Sequence, residues 1–156
     1  MQLTSTFAQH GKVEWIGVRP ERRENVKILN QVDLHLTGLV GDHYANPGKR
    51  SVTLIQKEHL PTIAMLAGRK VIKPELLRRN LVISGINLLG LKNMRFQIGT
   101  AILEGTGICA PCSRMEETLG TGGYNAVRGH GGITAKVIDP GTICTRDSVV
   151  PIQAYD

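Results

Sequence analysis

Aromatic side chains are scarce: two Phe, three Tyr and one Trp make up 4% of the 156 residues. The chain is nonetheless basic, with 19 Lys and Arg against 13 Asp and Glu and a formal net charge of +6. Such a balance suits nucleic acid, a membrane surface or a phosphate-bearing ligand. The basic residues concentrate at 19–27, 49–50 and 69–79. No Phe or Tyr interleaves with them as on a face that stacks single-stranded bases, so nucleic acid is not expected as a partner. No apolar run approaches the length of a membrane span. Residues 1–10 carry neither a basic leader nor an apolar stretch of signal-peptide length. Three cysteines are too few for a disulfide framework and leave one over. A reduced, cytoplasmic protein without membrane association is expected. Repeats, linkers and low-complexity tracts are also missing, and residues 1–156 read as one domain.

What the chain has in quantity is glycine, 18 residues, punctuating short apolar segments. Residues 12–18 and 26–36 read as extended, the second alternating Val32, Leu34 and Leu36 against Asp33 and His35. Strands are also predicted at 51–56, 80–84, 94–98, 100–105, 133–138, 142–144 and 149–152. Helices are predicted at 57–67, with Gly68 as its stop, at 74–79 behind Pro74, and at 114–119. Residues 120–132 read as a glycine-dense loop. Short strands interrupted by a few helices predict a mainly β fold, a barrel with two to four short helices.

The chemistry is expected around Gly105-Thr-Gly-Ile-Cys109-Ala-Pro-Cys112-Ser-Arg-Met-Glu116. Pro111 removes a backbone donor and should end the strand before it. Ser113 and Glu116 have the spacing of a capping box that opens the next helix. Cys112 then lies at a strand-to-helix turn beside Arg114, surroundings that favour the thiolate that binds metals and attacks electrophiles. Cys109 and Cys112 form a single C-x-x-C. A structural zinc site needs four ligands, and neither Cys144 nor the five histidines (His10, His35, His43, His59, His130) stand at characteristic spacing to supply the rest. A thioredoxin-like site places its first cysteine at the helix start, whereas here it is the second. Cys109 and Cys144 read as small buried residues.

Three weaker features surround this stretch. Pro47-Gly-Lys-Arg50-Ser51 lacks the first Gly of a phosphate loop and carries Arg50 in place of Ser or Thr, though Arg50 could still meet a phosphate. Arg78-Arg79-Asn80 offers a planar guanidinium fork and an amide. The run 122–132 lets backbone approach a ligand closely and presents Arg128 and His130.

Together these pieces resemble the MOSC domain, named for the C-terminal domain of molybdenum-cofactor sulfurases, over about residues 39–150. The resemblance rests on Gly38-Leu-Val-Gly-Asp42, Ser51-Val-Thr-Leu-Ile, Arg79-Asn-Leu-Val-Ile-Ser-Gly85, Phe96-Gln-Ile-Gly99, Ala110-Pro-Cys-Ser-Arg-Met-Glu116 and Gly129-His-Gly-Gly-Ile-Thr-Ala-Lys-Val137. It is similar to the short, stand-alone members. It implies a MOSC-type β-barrel and molybdenum cofactor (molybdopterin), with Cys112 as metal ligand. The family's Arg-x-Asn element maps to Arg78 and Asn80 at the pterin or its phosphate, with Arg50, Arg114 and Arg128 as further cofactor-binding candidates. The implied activity is reduction of N-hydroxylated compounds with a redox partner, His130 donating protons, or holding the cofactor for transfer. The alternatives are a persulfide carrier on Cys112 served by a cysteine desulfurase, and a non-catalytic module for a small anion or partner. Pyridoxal phosphate is not expected, because no Lys is flanked as a Schiff-base lysine. Where many relatives carry Gly-Asp in the late strand turn, this chain has Arg146-Asp147.

Overall fold

The computed structural model describes residues 3–153. Strands β1 (Gly11–Val18), β2 (Lys27–Leu29), β5 (Val52–Gln56), β6 (Leu81–Ser84), β7 (Arg95–Ile98), β8 (Ala101–Ile108), β9 (Ile133–Asp139) and β11 (Ser148–Ile152) form one sheet in the order β11-β7-β8-β9-β5-β6-β1-β2. The sheet closes because β1 also pairs with β11, Gly11 opposite Val149 and Lys12 opposite Ser148. The result is a closed barrel of seven strands with β2 outside the ring. β3 (Gln31–His35), β4 (Gly38–Leu39) and β10 (Gly141–Cys144) make a second, three-stranded sheet. The segment 26–36 is thus two strands that break at Asn30, whose carbonyl accepts the Thr145 N–H.

Within the barrel only β5 and β6 run parallel, Leu54 opposite Leu81. Parallel neighbours need a crossover. Here it consists of a 3-10 turn (Lys57–His59), helix α1 (Leu60–Leu66) and a second 3-10 turn (Pro74–Leu77). Alternation along these two strands explains their nearly unbroken hydrophobicity. Leu54, Leu81 and Ile83 point into the barrel beside Val13, Phe96, Leu103 and Val149. Ile55 and Val82 point outward into a second cluster with Ile63, Ala64, Leu77, Met115, Leu119 and Val127, beneath the helices. Burying both faces of a strand is the habit of parallel pairs.

Helices α2 (Arg114–Leu119) and α3 (Gly123–Val127) complete that outer layer. α3 falls inside the stretch read as a loop from its glycine content. Its start depends on Glu116, whose carboxylate oxygens accept the Gly122 and Tyr124 N–H groups at 2.8 and 3.1 Å. The same bonds correct the expected capping box. The Ser113 side chain makes no cap hydrogen bond, because Ser113 has helical backbone (φ −57°, ψ −24°) and Glu116 is turned forward onto α3. Gly132, with φ +88°, enters β9 where a Cβ would run into the Leu54 carbonyl, so only glycine fits. Arg146 takes the left-handed conformation (φ 75°) at the turn between β10 and β11, while Asp147 Oδ2 accepts the Cys144 N–H at 2.7 Å. Among the described residues no helix is long and apolar enough to cross a membrane.

Candidate functional site

Three segments converge at one end of the parallel pair: Arg19 just beyond β1, the loop from Asp42 to Arg50, and Arg78-Arg79-Asn80 leading into β6. Asn80 is the clamp between them. Its Oδ1 accepts the Thr53 N–H and hydroxyl, each at 3.1 Å. Its Nδ2 donates to the Gly17 carbonyl at 3.3 Å and to Asp42 Oδ2 at 3.4 Å. Its own N–H meets Thr53 Oγ1 at 3.0 Å, and its carbonyl accepts the Gly17 N–H at 2.8 Å. A buried amide satisfied on every side fixes β1, β5 and β6 relative to one another and orients Asp42.

The two arginines before it serve different ends. Arg78 caps the 3-10 turn in the left-handed region (φ 60°, ψ 32°), a conformation that costs a non-glycine residue about 1 kcal/mol or more. The turn leaves the Arg78 side chain half-buried in the cleft. Arg79 is 6% exposed. Its Nε donates to Gly131 O at 2.9 Å, Nη1 to Leu77 O at 3.0 Å and Nη2 to Ala110 O at 3.4 Å. One guanidinium therefore ties the 3-10 turn, the glycine loop and the cysteine segment together.

The cleft has two lobes. One, of about 320 Å³, is lined by Arg19, Asp42, His43, Arg50, Arg78 and Arg79, among others. The other, of about 410 Å³, is lined by Asn25, Glu75, Leu76 and Thr118 and shares Arg19, Val26 and Arg78 with the first. Burial pushes the Arg19 guanidinium below its ordinary pKa; Asp42 opposes this and Arg114 adds to it. Burial likewise lowers Arg78, helped by repulsion from Arg19 and Arg114 and opposed by Cys112. Among the described residues the ion pairs are His43–Asp42, Lys57–Glu14, Arg95–Glu104 and Lys136–Glu104, so none of the cleft arginines has a salt-bridge partner. Several guanidiniums face one another across a cavity with Asp42 as the carboxylate of the first lobe and Glu75 of the second. Such a field favours an anion.

All three cysteines are free: Cys112 exposed, Cys109 buried, Cys144 in between. Burial raises the Cys109 thiol, with Arg79 and then Arg50 pulling the other way. Cys144 lies on β10 with its Sγ 3.7 Å from Gln31 Oε1. Among the described residues no group of three or more His, Cys, Asp or Glu could hold a metal ion.

Of the residues singled out in the sequence, the structure brings Arg50, Arg78 and Asn80 to one lobe and sets Arg114 and Cys112 within electrostatic reach of Arg78. His130 and Arg128 line neither lobe. The His130 ring packs edge-on against His59, centroids 5.7 Å apart, near a separate 150 Å³ hollow lined by His59, Ile108 and Gly129. Arg128 is exposed at the end of α3. Sequence reasoning named Arg79 only within Arg78-Arg79-Asn80, Arg19 only in a basic cluster and His43 only among possible zinc ligands, and gave none of the three a place in the site. Arg19 directly follows an apolar strand and His43 follows the Gly41-Asp42 turn, which is the signal that could have found them.

The MOSC domain family model matches residues 31–150. The chain belongs to the MOSC domain family. Its barrel superposes on the YUAD protein from Bacillus subtilis with a TM-score of 0.81 at 21% identity, covering 97% of this chain and 100% of that one. YiiM from Geobacillus stearothermophilus gives 0.76 at 16% identity over 92% and 75%, and YiiM from Escherichia coli 0.70 at 16% over 93% and 71%. A comparison with curated proteins found no match. In this MOSC barrel the arginine cleft is built from segments on both sides of the parallel β5–β6 pair, and the cysteine segment reaches it through Arg79.

Proposed function

We propose that this MOSC protein binds molybdenum cofactor, with the cofactor's phosphate in the arginine cleft and the Cys112 sulfur as the protein ligand to molybdenum. One observation carries the reading. Arg19, Arg50, Arg78 and Arg79 line a common cavity without a salt-bridge partner among the described residues, within electrostatic reach of an exposed free thiol. Burial, with a smaller share of repulsion between the guanidiniums, holds Arg19 and Arg78 below their ordinary pKa values, and an anion in the cleft would offset the repulsive part. The donor set fits the group: guanidinium forks match phosphate oxygens, and a soft thiolate suits a soft metal centre.

When bound, the cofactor supplies the two-electron redox couple that reduction of an N-hydroxylated compound requires. The chain's residues bind and orient. Arg19, Arg50, Arg78 and Arg114 neutralise the phosphate. Asn80 and Arg79 work behind them, the first holding Asp42 and the strands in register, the second fixing the Ala110 end of the cysteine segment. Cys109, buried with its thiol pushed up, stays protonated and leaves Cys112 as the sulfur presented to a ligand. A redox partner protein would deliver the electrons.

The exposure of Cys112 also favours a second reading, a persulfide carrier, because sulfur handed between proteins must be reachable from outside. Its donor would be a cysteine desulfurase. Elemental analysis and pterin fluorescence on protein from a host that makes molybdenum cofactor separate the two. Near-stoichiometric molybdenum in the wild type, lost in Cys112→Ser, is the expected result. Metal-free wild type carrying a persulfide on Cys112 replaces the first reading with the second, and zinc in place of molybdenum overturns both.

A further inference from the structure

Resting on the reductase reading of this cleft, we propose that the two basic lips of its second lobe dock an acidic one-electron carrier protein. The first observation is where the charge lies. Residues 19–27 and 69–79 together hold nine Lys and Arg against Glu21, Glu24 and Glu75. Their net charge of +6 equals that of the whole chain, so everything outside these two segments is neutral in sum. Folding brings the two together. Asn25 and Val26 wall the second lobe from one side, Glu75 and Leu76 from the other. The Arg19 guanidinium clips them across the gap, Nη1 donating to the Glu24 carbonyl at 2.6 Å and Nη2 to the Glu75 carbonyl at 2.8 Å. The second lip is pinned as well. Ile72 is buried in the cluster beneath the helices, and Arg69 donates its N–H to Ala64 O at 2.8 Å and Nη2 to Thr118 O at 3.1 Å.

On this frame Arg22, Arg23 and Lys27 stand exposed on one lip and Arg69, Lys70 and Lys73 on the other. None of the six has an ion-pair partner among the described residues. Arg22 is close enough to the lobe to add to the repulsion on Arg78. Beside the second lip Met65, Leu66 and Val71 are 80, 59 and 66% exposed. Apolar side chains next to unpaired cations supply what a small interface with an acidic protein needs, a patch to bury and a field to steer the approach. Electron-transfer encounters are of this kind, small in area and guided by charge. Neither segment contains Phe, Tyr or Trp to stack on bases, and Glu21 and Glu24 interrupt the cations of the first lip. The second lobe shares Arg19, Val26 and Arg78 with the phosphate lobe, so a carrier seated on the lips lies beside the cofactor's place.

The reaction balances as R–NHOH + 2 H⁺ + 2 e⁻ → R–NH₂ + H₂O. The N–O bond breaks, nitrogen is reduced, and the departing oxygen leaves as water. Two reduced carriers are each oxidised by one electron per turnover, and both protons come from solvent.

The test uses cofactor-loaded protein, N-phenylhydroxylamine and a reduced plant-type ferredoxin, an acidic one-electron carrier, with reduced viologen as a donor that needs no docking. Lys70→Glu combined with Lys73→Glu should lower kcat/KM for the ferredoxin about 10-fold or more, the size of a lost steering field. Arg22→Glu with Lys27→Glu should do the same from the other lip. Molybdenum content and the rate with viologen should not change in either. Lys92→Glu, on neither lip, should keep the wild-type rate with ferredoxin. The wild-type kcat/KM should fall steeply with added salt and that of the lip variants only weakly. Independently of activity, oxidised ferredoxin added at low ionic strength to ¹⁵N-labelled protein should perturb amide signals in 20–27 and 69–73. Unchanged ferredoxin kinetics in both double variants, an equal loss in Lys92→Glu, or amide changes confined to other segments overturns the proposal. So does tighter binding, lost in the same variants, to a single-stranded oligonucleotide or to phosphatidylserine vesicles, which gives the lips to nucleic acid or to membrane. A wild type without molybdenum, or inactive with viologen, sinks the reductase reading, and the amide changes still decide whether the lips hold the carrier. An active wild type with indifferent lips sinks the proposal alone.

Discussion

Replacing Arg79 by Met removes a side chain that bridges three segments while roughly keeping its length and apolar bulk. Two of its hydrogen bonds, to Gly131 O and Leu77 O at 2.9 and 3.0 Å, are buried, and the third, to Ala110 O at 3.4 Å, is long and partly wet. Hydrogen bonds from a charged donor contribute about 1.5–3 kcal/mol each, so the two good ones amount to roughly 3–6 kcal/mol. Against that, the variant no longer keeps a guanidinium out of water, which returns a few kcal/mol. The net expectation is a loss of about 2–3 kcal/mol, or roughly 5–10 °C in Tm for a domain of this size. Urea unfolding followed by circular dichroism measures it, and hydrogen exchange locates it, with faster exchange expected in 108–112 and 128–132. Arg79→Lys should recover only part of the loss, since an ammonium on a flexible stem cannot span three diverging carbonyls. Stability within about 0.5 kcal/mol of wild type, with unchanged exchange around Cys109, would refute the claim that Arg79 anchors the cysteine segment.

Glu116 gives a prediction in pH. The Gly122 and Tyr124 N–H groups hold its carboxyl below the ordinary 4.5, so its stabilising effect is complete above that value and disappears as pH falls through the lowered one. Glu116→Gln should therefore melt lower than wild type at pH 7, with the gap closing in acid; a constant gap in Tm across that range contradicts the linkage. Two glycine substitutions should separate conformation from space. Gly68→Ala, with φ +69° and nothing within 4 Å of the new methyl, should cost about 1 kcal/mol, whereas Gly132→Ala, driven into the Leu54 carbonyl, should prevent folding or cost several times more, read by yield and unfolding midpoint. Thiol labelling of the native protein, mapped by mass spectrometry, should modify Cys112 first, Cys144 more slowly and Cys109 only after denaturation, following their exposure; early reaction at Cys109 would contradict its burial.

The barrel was legible because its strands carry their own punctuation. Val32 and Leu34 alternate into the core, Gly99 turns β7 into β8, and Pro140-Gly141 turns β9 into β10, all within a few residues of one another. α3 was hidden because its start does not depend on local helix propensity. Gly120, Gly122 and Gly123 argue for a loop, and what organises them is a carboxylate six residues upstream of Gly122. The capping box failed for the same reason: Glu116 had the right spacing for Ser113 and a better partner elsewhere. In the candidate site, Arg50, Arg78, Asn80 and Cys112 could be named from short motifs. His43 had only its place after the Gly41-Asp42 turn to mark it, because the Arg19 carbonyl and Asp42 that meet its ring come together only in the fold. His130, named beside a glycine run, packs edge-on against His59 and lines neither lobe of the cleft.

The seam that shuts the barrel joins the first of its strands to the last. β1 finds β11 through Gly11–Val149 and Lys12–Ser148, backed by bonds between Val13 and residues 146 and 147. While the chain emerges from a ribosome, β1 can pair with β2 over Ile16–Val18 and then with β6 along its opposite edge, but the Gly11–Lys12 end of the edge it shares with β2 stays open until β11 has been made. An open edge of that kind invites pairing with another chain. For as long as translation lasts, Lys12, Glu14 and the bulge between Val13 and Trp15 are what stand guard over it.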